Sequence, residues 1–204
     1  MQQFRYQAAV HVIDAWVDTD FAGCRKTRKS TSGGVLRLGE HLIKGWSQTQ
    51  AIIALSSGEA EYYGLVRGAS EALGLRSVLG DLGVEVKVRL KTDATAAKGI
   101  ATRRGLGKVR HIEVNQLWLQ EKVTGGEIEV VKVPRAENRA DALTHPIEAS
   151  DMQLHLELTM QVPETGRHSL APKVEAWGEE EVQSLVFRGG SRNCAAPMVA
   201  TEAY

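Results

Sequence analysis

Four acidic residues that lie far apart in the sequence are placed so that their carboxylates could converge on a metal ion. They are Asp18, Glu61, Asp93 and Asp141. Asp18 and Asp93 each close an apolar run that predicts a strand, whereas the other two lie near the starts of predicted helices. Carboxylate oxygens are the ligands that hard divalent cations prefer. Two such ions about 4 Å apart commonly drive in-line attack on a phosphodiester, so the pattern indicates a metal-dependent nuclease.

Two of these positions have a rival nearby. Asp20 would point to the same side of an extended strand as Asp18, because side chains repeat every two residues, but Asp18 directly follows the apolar run. Glu59 and Glu61 flank the apolar stripe of one helix at similar angles on opposite sides, so helical phase does not decide between them. Ser56-Ser-Gly-Glu matches a capping box, which gives Glu59 a structural role and favours Glu61 as the ligand.

The other two acids also have ordinary structural explanations. Asp93 could cap the helix that follows it, a common role for aspartate. Asp141 could favour the start of a helix through the macrodipole. Each explanation is reasonable for one residue, but neither accounts for the set of four.

Positive charge is concentrated in the first three-quarters of the chain. The formal net charge is zero over 204 residues, yet residues 1–150 carry 21 Lys/Arg against 17 Asp/Glu, and residues 151–204 carry 4 against 8. Basic clusters at 25–29 and 103–111 have the sign that phosphate contact requires, although two solvated basic loops would look the same. We predict one domain over residues 1–150 and an acidic, flexible tail over residues 151–204.

Apolar periodicity and turn signals predict an α/β fold whose elements would position the acids. The predicted strands are 10–18, 31–38, 41–48, 84–92 and 128–133, and the predicted helices are the segment from Ser56 to Gly80, 95–101, 111–123 and 136–144. Short connections make the first three strands antiparallel. Strands joined through helices should be parallel with right-handed crossovers. The result is a mixed five-stranded sheet, with three antiparallel and two parallel strands, and with helices on its faces.

Several sequence blocks, taken in order, resemble a known family. They are Val17–Gly23, Arg28–Gly33, Ala54–Tyr62, Leu90–Asp93, Arg110–Val114, Glu121–Glu129, Val133-Pro134 and Ala140–Pro146. No single block is specific, but their common order extends over roughly two-thirds of the chain. Residues 15–147 resemble the ribonuclease H domain of copia-type (Pseudoviridae) retrotransposon Pol polyproteins.

The resemblance implies a ribonuclease H-like fold and an enzyme that hydrolyses the RNA strand of RNA–DNA hybrids. It implies two Mg²⁺ ions, with Mn²⁺ as an alternative, and a monomer whose partners are the hybrid and the reverse transcriptase of the parent element. The catalytic and metal-binding residues carried over by position are Asp18, Glu61, Asp93 and Asp141. The residues expected to bind nucleic acid are Arg28, Lys29, Ser32, Arg110 and His111.

Two other functions are compatible with a fold of this type, and the sequence also predicts where the protein is located. A domain of the same origin that binds nucleic acid without cutting it is the main alternative. A transposase or integrase on the same fold would have a late glutamate as its final acid, where this chain has Asp141. The N-terminus lacks the pattern of a signal peptide, and no apolar run approaches the roughly 20 residues that span a bilayer. We therefore expect an intracellular protein, cytoplasmic or nuclear.

Overall fold

The computed structural model describes residues 6–105, 107, 112 and 116–161, with Ala149 described by its backbone only. The chain divides into two compact units, 1–162 and 163–204, and every element below belongs to the first. The strands are β1 (Val12–Asp20), β2 (Thr31–Leu38), β3 (His41–Thr49), β4 (Lys87–Thr92) and β5 (Ile128–Lys132). The α-helices are α1 (Ser57–Asp81), α2 (Thr95–Thr102), α3 (Trp118–Thr124) and α4 (Ala149–Leu158).

The five strands form one mixed sheet in the order β3-β2-β1-β4-β5. β1 pairs antiparallel with β2, and β2 with β3, whereas β4 is parallel to both β1 and β5. The predicted fold class is thus confirmed. Because β1 and β4 are parallel neighbours, the residues at their carboxyl ends lie at the same edge of the sheet.

Helix α1 approaches β1 closely because two glycines face the strand. A Cβ added at Gly64 would lie 2.5 Å from Thr19 Oγ1, and one added at Gly68 would lie 2.5 Å from Val17 Cγ2. Neither position has room for a methyl group unless a neighbour moves. These contacts fix α1 against the face of β1 that carries Val17 and Thr19. Asp18, between them, points to the other face, because side chains alternate along a strand.

The predicted cap of α1 is present, with one difference. Ser56 Oγ accepts a hydrogen bond from Glu59 N at 3.2 Å. The Glu59 carboxylate accepts from Leu55 N at 2.8 Å, one residue before the expected donor, and from the Tyr63 hydroxyl at 2.7 Å. Glu59 is only 2% exposed. Its side chain therefore stabilises the start of the helix and the packing of its first turns.

The predicted helix over 136–144 is wrong. Two 3₁₀ turns replace it, Arg135–Glu137 and Asp141–Leu143, with Asn138 extended between them. The Asn138 side chain donates to Val17 O at 3.1 Å and accepts from Ala140 N at 3.3 Å. Such side-chain bonds to the backbone compete with helical ones, so the chain turns twice instead of forming a helix.

Other boundaries also differ from the prediction. β1 continues to Asp20, so Asp18 lies two residues before the end of the strand and not at its last position. In the predicted helix over 111–123, the described helical residues begin at Trp118. Among the described residues, no helix combines the length and the apolar character needed to cross a bilayer.

Helix α4 crosses the predicted domain boundary at residue 150. Arg37 Nη1 donates to Leu158 O at 3.3 Å, and Arg139 Nη1 donates to the same carbonyl. Two cations at the carboxyl end of a helix favour its attachment through the macrodipole. The predicted tail from residue 162 onward lies outside the described residues, so the boundary at 150 stays a prediction.

Candidate metal centre

The structure brings the four predicted acids together at one edge of the sheet. Asp18 comes from β1, Asp93 follows β4, Glu61 lies in the first turns of α1, and Asp141 begins the second 3₁₀ turn. Asp18, Glu61 and Asp93 each offer a carboxylate oxygen within 4.8 Å of the others, and we call these residues the first group. Asp18 and Asp141 form with His145 a second group of ligand atoms within 4.8 Å of one another. Asp18 thus belongs to both groups.

The carboxylate of Asp18 is buried and strongly influenced by its neighbours. It is 7% exposed. Burial raises its pKa above the ordinary value, and the nearby Asp93 and Asp141 raise it further. The hydrogen bond from Thr144, at 2.5 Å, and the proximity of His145 act in the opposite direction. Burial, together with the surrounding acids, therefore makes the ionised form of Asp18 costly unless a cation is present.

Ionisation of the Glu61 carboxyl group is also unfavourable, and its pKa shift is larger. Burial, followed by the proximity of Asp18 and Asp93, raises its pKa to about 8, although Arg135 acts against the shift. Its Oε2 atom is buried and has no hydrogen-bond partner. A buried acceptor left unsatisfied is destabilising, and a divalent cation would satisfy it. The donor set of the first group, all carboxylate oxygen, suits Mg²⁺ or another hard cation.

Replacing Glu61 with glutamine is expected to remove a pH-dependent loss of stability in the metal-free protein. The unfolded chain releases the Glu61 proton near the ordinary value of 4.5, whereas the folded protein retains it up to about pH 8. The unfolded state therefore binds fewer protons in this window, and the free energy of unfolding falls as pH rises through it. We expect Glu61→Gln to be more stable than wild type at pH 8 by about 2 kcal/mol, allowing for solvent screening.

Urea unfolding in EDTA between pH 5 and pH 8.5 measures this difference. Glu59→Gln is the matched control, because it makes the same charge change two residues away. It weakens an acceptor that Leu55 and Tyr63 use, so it should lower stability throughout the range. If the free energy of unfolding changes with pH in the same way in wild type and in Glu61→Gln, the pH dependence does not come from Glu61.

Asn138 and Thr144 support the carboxylates, and the sequence did not reveal either. The buried Asn138 amide nitrogen lies 3.4 Å from both Asp18 Oδ1 and Asp93 Oδ1 while donating to Val17 O. Thr144 Oγ1 lies 2.5 Å from Asp18 Oδ2 and 3.0 Å from Asp141 O. Both residues lie in irregular segments, where no periodic pattern marks a polar side chain as inward-facing. Their contacts hold the orientation of the Asp18 carboxylate.

Asp141 is less buried than Asp18 and contacts two cationic or titratable groups. Arg135 Nε donates to Asp141 Oδ1 at 3.2 Å, and His145 Nε2 lies 3.4 Å from Asp141 Oδ2. Arg135 itself is largely exposed. Asp141 therefore forms the open, solvent-facing side of the centre.

The rival Asp20 lies away from both groups. A Cβ added at Gly23 would fall 1.5 Å from Asp20 Oδ2, so the Asp20 side chain folds over this glycine in the turn after β1. The rival Glu59 is engaged at the start of α1, as described above.

The residues predicted to bind nucleic acid differ in their exposure to solvent. Arg28 is exposed and Lys29 half-buried in the loop between β1 and β2. Ser32 is buried, and its hydroxyl accepts from Gln50 Nε2 at 2.8 Å and lies 3.3 Å from Thr19 Oγ1, so it does not stand on the surface. The other two predicted contacts, Arg110 and His111, lie outside the described residues. The roles of all five residues stay predictions.

No protein-family model matches the chain. Its homologues are retrovirus-related Pol polyproteins of plant transposons. The chain is 29% identical over 149 residues to the Pol polyprotein of transposon TNT 1-94 from Nicotiana tabacum, covering 72% of this chain and 11% of that protein. It is 30% identical over 138 residues to the Pol polyprotein of transposon RE2 from Arabidopsis thaliana, covering 66% of this chain and 10% of that protein. The matched region thus spans only about a tenth of these relatives.

The solved structures that resemble the chain include ribonuclease H domains. The N-terminal RNase H domain of Rv2228c from Mycobacterium tuberculosis has a TM-score of 0.48 at 21% identity, covering 73% of this chain and 98% of that one. LC11-RNase H1, solved in complex with an RNA/DNA hybrid, has a TM-score of 0.45 at 23% identity, covering 70% and 99%.

Proposed function

We propose that this chain is a divalent-metal-dependent endonuclease of the ribonuclease H type, which hydrolyses the RNA strand of an RNA–DNA hybrid. The observation that carries the proposal is that Asp18 belongs to two groups of potential ligands at once. A carboxylate shared in this way can bridge two cations, the arrangement used for in-line displacement at phosphorus. The homology to transposon Pol polyproteins, whose ribonuclease H domain the sequence blocks resemble, supports the proposal.

Bound Mg²⁺, or Mn²⁺ in its place, would supply the chemistry by lowering the pKa of water and stabilising the departing oxygen. Asp18, Glu61, Asp93 and Asp141 would hold them. Asn138 and Thr144 restrict the rotation of Asp18 through the contacts described above, so the ligand geometry is set before substrate arrives. Such preorganisation avoids rearranging the site during the reaction.

The exposed basic loop between β1 and β2 lies on the side of the sheet edge where the acids converge. Arg25, Lys26 and Arg28 are exposed there, directly after the strand that carries Asp18. Their charges would hold backbone phosphates while the acids act on the scissile one. Binding by phosphate contact weakens steeply with salt, and selectivity for a hybrid would come from duplex shape and 2′-hydroxyl contacts.

Cleavage of an end-labelled RNA–DNA hybrid by the purified full chain tests the proposal. We expect RNA products with 5′ phosphates in Mg²⁺ and no cleavage in EDTA, with single-stranded RNA and double-stranded DNA left intact. Salt-sensitive binding of the hybrid without cleavage would instead favour the nucleic-acid-binding alternative. Absence of both binding and cleavage would reject the proposal. The reverse transcriptase of a parent element, as a partner, is a separate proposal that the same assay can examine by adding that protein.

A further inference from the structure

The two groups that share Asp18 differ in donor chemistry. The first group offers carboxylate oxygens only, whereas the second contains a histidine nitrogen from His145. Hard cations such as Mg²⁺ prefer oxygen and retain water in place of nitrogen. Imidazole suits later divalent transition ions such as Fe²⁺, Ni²⁺ and Zn²⁺. The two cation positions should therefore have different preferences.

The surroundings of His145 resemble those of a metal-ligating histidine. Its Nδ1 lies 3.2 Å from Thr144 Oγ1, and its Nε2 lies 3.4 Å from Asp141 Oδ2. A ligating histidine normally has its second ring nitrogen bonded to a neighbouring acceptor, which sets the tautomer and the ring orientation. Thr144 Oγ1 can accept from Nδ1 while donating to Asp18 Oδ2, so one hydroxyl orients two members of the second group. The neutral tautomer with hydrogen on Nδ1 leaves the Nε2 lone pair directed towards Asp141.

We propose that Asp18, Asp141 and His145 form a mixed nitrogen–oxygen position that prefers a divalent transition ion to Mg²⁺. The inference rests on the proposed function only in that both use the same metal centre. The first group remains the Mg²⁺ position. The centre is then asymmetric, and His145 is a ligand of one cation and not merely an ion-pair partner of Asp141.

Electron spin-echo spectroscopy of Mn²⁺ bound to the full chain tests the nitrogen ligand directly, without reference to cleavage. We expect ¹⁴N modulation from a coordinated imidazole in the wild-type protein and its loss in His145→Gln. His11→Gln is the control, because His11 is exposed directly before β1, at the opposite end of the strand from Asp18. This variant should keep the modulation.

Calorimetric titrations with Ni²⁺, which suits imidazole, and with Mg²⁺ provide the thermodynamic counterpart. Loss of the nitrogen donor in His145→Gln should weaken Ni²⁺ binding at one position by about tenfold or more, and Mg²⁺ binding by less than about twofold. Equal losses for the two ions would overturn the proposal, because they would indicate a structural or electrostatic role for His145. Wild-type Mn²⁺ without ¹⁴N modulation would also overturn it.

These results separate the inference from the proposed function. Mg²⁺-dependent cleavage of the hybrid without a nitrogen signal would reject the inference and keep the function. A nitrogen signal that depends on His145, without cleavage in any metal, would keep the mixed position and reject the nuclease. Failure of both Mn²⁺ and Mg²⁺ to bind would reject the inference and the proposed function.

Discussion

Asp18→Asn is expected to lower the rate of Mg²⁺-dependent hybrid cleavage by about 10³-fold, because Asp18 is the one carboxylate present in both ligand groups. Asparagine keeps the size of the side chain and an oxygen near Asn138 and Thr144, but it removes the charge that would bridge two cations. Hybrid binding in the absence of metal should be unchanged or slightly tighter, since a negative charge is lost near the phosphates. Single-turnover cleavage and fluorescence anisotropy measure the two quantities.

Asp20→Asn is the matched control on the same strand. Asp20 lies two residues further along β1 and makes the same charge change when replaced, but its side chain folds over Gly23, outside both groups. We expect the Asp20→Asn variant to cleave at a rate within about threefold of wild type. Equal activity losses in the two variants would show that Asp18 has no special role.

The stability of Asp18→Asn provides a second check. Because burial and neighbouring acids raise the pKa of Asp18, this variant should be at least as stable as wild type without metal.

Adding one methyl group to α1 should have opposite effects at two glycines. In Gly68→Ala the new Cβ would lie 2.5 Å from Val17 Cγ2, in a fully packed part of the core. Overpacking of this kind costs about 1–3 kcal/mol. In Gly74→Ala the new Cβ meets nothing within 4 Å, so the helix should be stabilised by about 0.5–1 kcal/mol through reduced backbone entropy in the unfolded chain.

Chemical denaturation of both variants, with the mid-point and slope fitted together, checks the prediction. Gly68→Ala should also reduce cleavage, because a shift of β1 at Val17 that relieves the contact would displace the adjacent Asp18 carboxylate. Gly74→Ala should keep full activity. If both alanines stabilise the protein equally, α1 does not depend on the glycine at 68 for its approach to β1.

The regular elements could be predicted because their signals are local. Alternating apolar residues mark β4, a stripe at helical spacing marks α1, and the Ser56–Glu59 pair marks its start. These patterns require no knowledge of distant contacts. Element boundaries were less accurate, as the extension of β1 to Asp20 shows, because an end depends on pairing partners as well as on the strand itself.

The irregular segment around Asp141 could not be predicted in the same way. Its composition is compatible with a short helix, and its two 3₁₀ turns depend on the bond from Asn138 to Val17 O, which joins residues 121 positions apart. For the same reason the supporting roles of Asn138, Thr144 and His145 were not visible in the sequence. A polar side chain in a loop carries no periodic signal that indicates whether it faces inward.

The sequence by itself determined which residues could act as ligands and which elements carry them, because residue type, hydrophobic period and capping chemistry are properties of short segments. It also assigned Glu59 to the helix start, which left Glu61 available. Only the tertiary structure decided that these carboxylates meet, that Asp18 is shared, and that a histidine joins one side. The physical reason is that convergence requires β1 and β4 to pair in parallel and α1 to approach through its glycines, and both are long-range packing events.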